Sequence, residues 1–113
     1  MSDMIISEAA ANTALDTFQI NKASLHSGDP GTNGANELSS QDYARQDFGF
    51  SAANGAQRQA NTSAVFNVAV DDQVAWIAYW NDTVFTIARR VDPAIVYSQD
   101  GTLTLGDETV LEL

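Results

Sequence analysis

The clearest order along the chain is an alternation of apolar and polar positions with a period of two. That is the period of a β-strand, because successive side chains leave opposite faces. Ala64, Phe66, Val68 and Val70 share one register. In the next segment Trp76, Ala78 and Trp80 fall on one face and Ala75, Ile77 and Tyr79 on the other. A strand over 74–80 would be apolar on both sides and is expected to lie in a central, fully buried position. Thr83 to Arg90 alternates Val84, Thr86 and Ala88 with Phe85, Ile87 and Arg89. Shorter strands are expected at 22–27, Tyr43–Phe50, Ala94–Ser98, Leu103–Leu105 and Thr109–Leu111. The start of the chain has a different period. Ile6, Ala10, Ala14 and Phe18, with Leu15, recur at helical spacing, which predicts a helix over 6–18. Ser7 suits its N-cap and Glu8 its first turn, where a negative charge meets the positive end of the helix dipole. The stripe is weak and alanine-rich, so the helix suits packing on its own domain or docking as an arm on another subunit.

Turn signals separate these segments. The strongest is the run Gly28 to Asn36, where glycine and asparagine admit positive φ and Pro30 fixes its own. Asn54-Gly55, Asp71-Asp72, Asn81-Asp82 and Asp100-Gly101 mark further reversals. Short strands with turns about every ten residues predict a mainly β fold: an antiparallel β-sandwich or jelly-roll-like barrel with one short N-terminal helix. The expected division is an N-terminal segment with the helix at 1–21 and a single β-sandwich domain at 22–113.

Composition narrows the function classes. With 113 residues the chain is expected to form one domain. It has no cysteine, which excludes disulfides and thiolate metal sites, and one histidine, His26, which excludes a multi-histidine site within the chain. Five basic residues stand against 15 acidic ones, for a net charge of −10. Nucleic-acid binding needs clustered cations against phosphate, and anionic membranes need the same, so neither is an expected partner. No apolar run is long enough to cross a membrane as a helix, and no secretory signal is expected. Asp-rich, lysine-poor composition suits salty media, where self-repulsion is screened.

Candidate chemistry is sparse. Ser24 and His26 share one strand face and Asp29 lies near, but no Gly-x-Ser-x-Gly elbow occurs, and a strand histidine bonded locally explains His26 equally. Asp29, Asn33, Asn36 and Glu37 supply oxygens of the kind calcium takes, but without EF-hand spacing, and turn chemistry accounts for them. Asp71-Asp72 and Asp107-Glu108 are paired acids at turns, with nothing to place them across one cleft. Trp76, Tyr79, Trp80 and Phe85 concentrate aromatics. Most should be core, with Trp80 beside its turn the one expected to be partly exposed. Asn61-Thr62-Ser63 and Asn81-Asp82-Thr83 match the glycosylation pattern by chance. The Arg89-Arg90 pair must send one guanidinium to each strand face, for pairing within the chain or across an interface. No catalytic residue, metal or cofactor is expected.

The run Ala23-Ser24-Leu25-His26-Ser27-Gly28-Asp29-Pro30-Gly31-Thr32-Asn33-Gly34-Ala35-Asn36-Glu37-Leu38, followed by Tyr43-Ala44-Arg45, resembles a segment of small tailed-phage virion proteins with a "SLHTADPGTTGANE…YAR" motif, known as tail fibre or minor tail proteins. The aromatic segment Ala75–Asn81 stands where that family has an aromatic-rich strand. The resemblance implies a non-enzymatic structural subunit on the surface of a tailed-virus particle, in the tail or, alternatively, as a capsid decoration (cement) protein. It implies localisation in the virion, other virion proteins as partners, and a homo-oligomer. A carbohydrate-binding module with Trp80 and Tyr79 as platform is the reading from a different class. Leu25, His26, Asp29, Pro30 and Gly31 are then expected to specify the fold at the turn. On this reading His26→Ala leaves assembly intact, whereas Leu25→Asp abolishes folding. Arg89, Arg90, Trp80, Phe18 and Ile6 are candidates for interfaces.

Overall fold

A computed structural model describes residues 7–106 and 109–112. Among the described residues the fold is mainly β, with one helix and antiparallel sheets. The helix α1 spans Glu8–Asp16, and the Ser7 hydroxyl accepts from the Ala10 N–H at 3.1 Å as the expected N-cap. Ile6, expected in the same helix and as an interface residue, lies outside the described residues.

Eight strands follow: β1 Lys22–His26, β2 Gln46–Asp47, β3 Gln57–Gln59, β4 Ala64–Val68, β5 Gln73–Asn81, β6 Val84–Val96, β7 Gly101–Leu105 and β8 Val110–Glu112. A four-stranded sheet has the order β2-β1-β5-β6, and two ribbons pair β3 with β8 and β4 with β7. β5 is interior to the larger sheet, as its two apolar faces require. The core lies between the sheet and the ribbons. Leu25, Ile77 and Tyr79 from the sheet meet Phe66, Val68, Leu103 and Leu105 from the ribbon opposite. Phe48 and Phe50 close one end, both ring-packed on Tyr79.

Several boundaries differ from the sequence expectation. The expected strand Tyr43–Phe50 reduces to Gln46–Asp47, because Tyr43 and Arg45 are held by side-chain bonds and residues 48–50 by single backbone bonds to Asn21 and Asn61 and one bridge to Ala60 rather than by a continuous ladder. The Asn-Gly signal marks the right place, but the two turn residues are Gly55 and Ala56, both with positive φ, between Asn54 and Gln57. The hairpin after β5 likewise turns one residue later, at Asp82-Thr83, with Asn81 still paired to Val84. Asn21 selects that register by bonding both the Asp82 N–H and the Asp82 carboxylate, each at 2.7 Å. The segments expected as separate strands at 83–90 and 94–98 form one strand, β6. Trp76 pairs with Arg90 and Val74 with Ile95, so Ala75 alone faces residues 91–94. β6 lies at the sheet edge, where Pro93 needs no ladder partner.

The helix packs on this domain. Ala11 and Leu15 are buried, and Arg58 of β3 donates to the carbonyls of Leu15 (3.1 Å) and Phe18 at the helix end. α1 has no basic residue in its last turn, so Arg58 supplies the cation there from elsewhere in the chain. Phe18, expected at an interface, is half-buried against the core.

Candidate functional site

One face of the four-stranded sheet meets the core. On the other face the chain builds a second, polar interior. Register decides its membership, because cross-strand partners share a face. His26 stands between Glu37 on one side and Trp76 on the other, with Arg90 beyond Trp76. Ser24 lies two residues along β1 on the same face, and Trp80 lies two residues beyond Ala78, the partner of Ser24.

The loop 27–38 folds over this face. The Asp29 carboxylate accepts from the Gly31 N–H at 2.7 Å, Gly31 adopts φ +61°, and the buried Pro30 gives its carbonyl to the N–H groups of Gly34 and Ala35. The Asn36 amide donates to the Asp29 carbonyl at 2.9 Å. Of the residues that suggested calcium, Asp29 and Glu37 have their carboxylates engaged by internal donors, and the described residues contain no group of three or more candidate metal ligands. The folded loop brings Gly34, at φ +81°, onto the Trp80 ring. A Cβ there would sit 2.3 Å from Trp80 Cη2, so glycine is required both for conformation and for space.

Ser24 and His26 are fully buried, with 0% exposure each. Their hydrogen bonds assign every proton. The Ala35 carbonyl can only accept, so His26 Nδ1 carries the hydrogen of that 2.7 Å bond. Nε2 of the neutral ring is then an acceptor, and it takes the Ser24 hydroxyl at 2.7 Å. Ser24 Oγ in turn accepts from Trp80 Nε1–H at 2.7 Å. Burial, the dominant influence, lowers the His26 pKa, and the Ala35 bond opposes it only in part. The arrangement has the connectivity of a serine–histidine dyad. Its oxygen, however, faces an indole N–H in the interior, and a nucleophile must reach a substrate. Four surface depressions of about 310–380 Å³ are lined by other residues, and none includes Ser24 or His26.

Arg45 closes the network. Its guanidinium lies 3.6 Å from the Trp80 ring centroid and grips Glu37 through Nε (3.0 Å) and Nη2 (2.9 Å). Glu37 also accepts from the Tyr43 hydroxyl at 2.7 Å, and the same hydroxyl accepts the Leu25 N–H at 3.0 Å. Burial pushes the Glu37 carboxyl up, but the bonds from Arg45 and Tyr43 outweigh it and hold the pKa below the usual range. Burial, with Glu37 beside it, pushes the Tyr43 phenol far up. The bond to Glu37 raises Arg45. A bidentate guanidinium–carboxylate pair stacked on an aromatic ring fixes orientation as well as charge.

Two expectations change. Trp80 is 4% exposed and Tyr79 is 0% exposed, so neither offers a platform for a sugar or an interface. The half-turn proximity that suggested exposure for Trp80 is overridden by a loop from more than forty residues earlier. His26→Ala, expected to be benign, removes a buried ring that bonds at both nitrogens, so it leaves a cavity and releases the loop. Leu25 is fully buried in the core as expected. Arg89 and Arg90 are exposed on β6, where Arg89 Nε donates to the Tyr79 hydroxyl at 3.1 Å. The bonds of Tyr43, Arg45 and Arg58 and the contact of Gly34 with Trp80 were not anticipated: the sequence marked Gly34 only as part of the turn cluster, Tyr43 and Arg45 only as part of the motif, and Arg58 not at all. Comparison with protein-family models, with curated proteins and with solved structures finds no match for this chain.

Proposed function

We propose that the chain is a non-enzymatic structural subunit of a tailed-virus particle, exposed on its surface, of the tail fibre or minor tail kind. The reading starts from the resemblance of residues 23–45. The observation that carries it further is the fate of the polar side chains in that stretch. Ser24, His26, Asp29, Glu37, Tyr43 and Arg45 all bond within the chain. A motif used up in this way serves to build one rigid shape, which suits a subunit repeated many times in an assembly. It leaves the Ser24–His26 pair buried out of a substrate's reach, which supports a non-enzymatic role.

Antibody labelling of purified particles, viewed by negative-stain electron microscopy, tests the proposal. Label at the tail or its tip is the expected result. Label spread over the head would replace the tail assignment with a capsid decoration role, and particles without label would overturn the virion reading.

A further inference from the structure

We infer that Asn54 is a site of spontaneous modification: in the folded chain the Asn54-Gly55 turn converts to aspartate and isoaspartate and thereby loosens the docking of α1, while the matching pair Asn33-Gly34 is protected.

An asparagine before glycine is open to attack by its own backbone, because glycine has no side chain to shield the following nitrogen. The Gly55 nitrogen, its hydrogen taken by base, adds to Asn54 Cγ. The N–Cγ bond forms, the Cγ–Nδ2 bond breaks, and ammonia leaves behind a five-membered succinimide. Water then opens one of the two ring carbonyls, giving aspartate or isoaspartate. The sum is amide plus water to carboxylate plus ammonium, with nothing oxidised or reduced. The nucleophile and the group it attacks belong to adjacent residues, so geometry sets the rate.

The chain has two Asn-Gly pairs, and both asparagines are exposed, so exposure does not separate them. The glycine does. The Gly34 N–H donates to the Pro30 carbonyl at 3.0 Å, and a Cβ on Gly34 would sit 2.3 Å from the Trp80 ring. Swinging that nitrogen toward Asn33 breaks the bond and moves the backbone against a held indole. At Gly55 an added Cβ meets nothing within 4 Å. Among the described residues neither the Gly55 N–H nor the Asn54 side-chain amide is bonded. The Asn54 N–H donates to the Gln57 carbonyl at 2.8 Å, but the Asn54 carbonyl accepts from the Gln57 N–H only at 3.3 Å. Rotating the peptide between Asn54 and Gly55 gives up that one long bond.

The same turn fastens the helix. Asp16 Oδ1 accepts from the Ala53 N–H at 2.8 Å and Asn12 Oδ1 from the Ala56 N–H at 2.9 Å, so the two bonds bracket Asn54-Gly55. Besides them α1 has the burial of Ala11 and Leu15 and the grip of Arg58 near its end. Isoaspartate carries the main chain through the former side chain and adds one methylene between the two anchored N–H groups, which breaks their register with the helix. Either product also sets a carboxylate next to the residue that Asp16 holds, and like charges repel.

Incubation of the full chain in mildly alkaline buffer, native and in urea, followed by trypsin and mass spectrometry, tests the inference. Cleavage after Lys22, Arg45 and Arg58 separates the peptide 23–45, with Asn33, from 46–58, whose one asparagine is Asn54. In the native chain 46–58 is expected to gain the mass difference between a carboxyl and an amide group. Peptide 23–45 is expected to react roughly tenfold or more slowly than in urea, where the protecting contacts are lost. Asn54→Gln, whose longer side chain closes the ring poorly, is expected to leave 46–58 unchanged. Hydrogen exchange in α1 is expected to be faster in the reacted chain than in fresh protein. An unchanged 46–58 in the native chain would overturn the proposal, as would equal rates for 23–45 with and without urea, or the same mass gain in Asn54→Gln. Unaltered exchange in α1 after reaction would overturn the link to the helix.

Discussion

Replacing Gly34 by alanine separates two physical effects that the fold combines at one position. The first is conformational. Gly34 sits at φ +81°, a region that costs an L-residue about 1–2 kcal/mol. The second is steric, because the new Cβ would lie 2.3 Å from Trp80 Cη2 and 2.5 Å from Cζ2. Trp80 has little room to yield. Its indole N–H is bonded to Ser24, the Arg45 guanidinium covers its ring, and Phe85 packs edge-on at 5.6 Å. Overpacking of a held core side chain costs about 1–3 kcal/mol. The sum is a loss of about 2–5 kcal/mol, a large share of a small domain's stability. Gly55 provides the control, since it has φ +64° and nothing within 4 Å of an added Cβ. Gly55→Ala should therefore lose only the conformational part, about 1–2 kcal/mol. Urea unfolding of both variants, followed by tryptophan fluorescence, measures the difference. Equal losses at the two positions would refute the packing of the loop on Trp80.

Other perturbations address the rest of the network. Ser24→Ala leaves the Trp80 N–H and His26 Nε2 buried without partners, and is expected to cost about 2–5 kcal/mol by urea unfolding, whereas an exposed hydroxyl would lose almost nothing. Arg58→Ala removes bonds to the carbonyls of Leu15, Phe18 and Ser51. It is expected to lower stability by about 2–3 kcal/mol and to raise hydrogen exchange in α1 above that of β5; uniform exchange would count against Arg58 as the helix clasp. Stability should be flat from about pH 6.5 up to the tyrosine range near pH 10 and fall on acidification, because the unfolded chain gains a histidine proton that the buried ring resists. The slope is at most about 1.4 kcal/mol per pH unit. Glu37, held low by Arg45 and Tyr43, adds a further loss as pH falls through about 4.5. Since His26 is the one histidine, His26→Gln should flatten the first part of the curve, and an unchanged curve would exclude it as the source.

What the sequence disclosed was whatever rests on local periodicity. The alternation of Ala64, Phe66 and Val68 and the two apolar faces of 74–80 placed β4 and β5, and Ser7 placed the helix start. Turn residues located the reversals but missed the turn residues by one, because a distant side chain, Asn21 for the hairpin at Asp82, decides the register. The segment 37–63 was least legible. Only Gln46–Asp47 and Gln57–Gln59 are strands there, and the remainder is fastened by side-chain bonds of Tyr43, Arg45 and Arg58 and by scattered backbone bonds, which leave no period in the sequence. The Ser24–His26 contact was legible as a shared strand face. That Trp80 would cap it was not, since 56 positions separate Trp80 from Ser24 and the loop that covers both is non-local.

Burial and closed hydrogen bonding make the serine–histidine pair a sealed structural element. Nitrogen-15 NMR of the His26 ring tests it most directly. The expected result is a neutral ring with hydrogen on Nδ1 and none on Nε2, unchanged as pH falls through the range of a free histidine for as long as the chain stays folded. A ring that titrates at about the ordinary value of 6.5 in the folded protein, or that carries its hydrogen on Nε2, would contradict it.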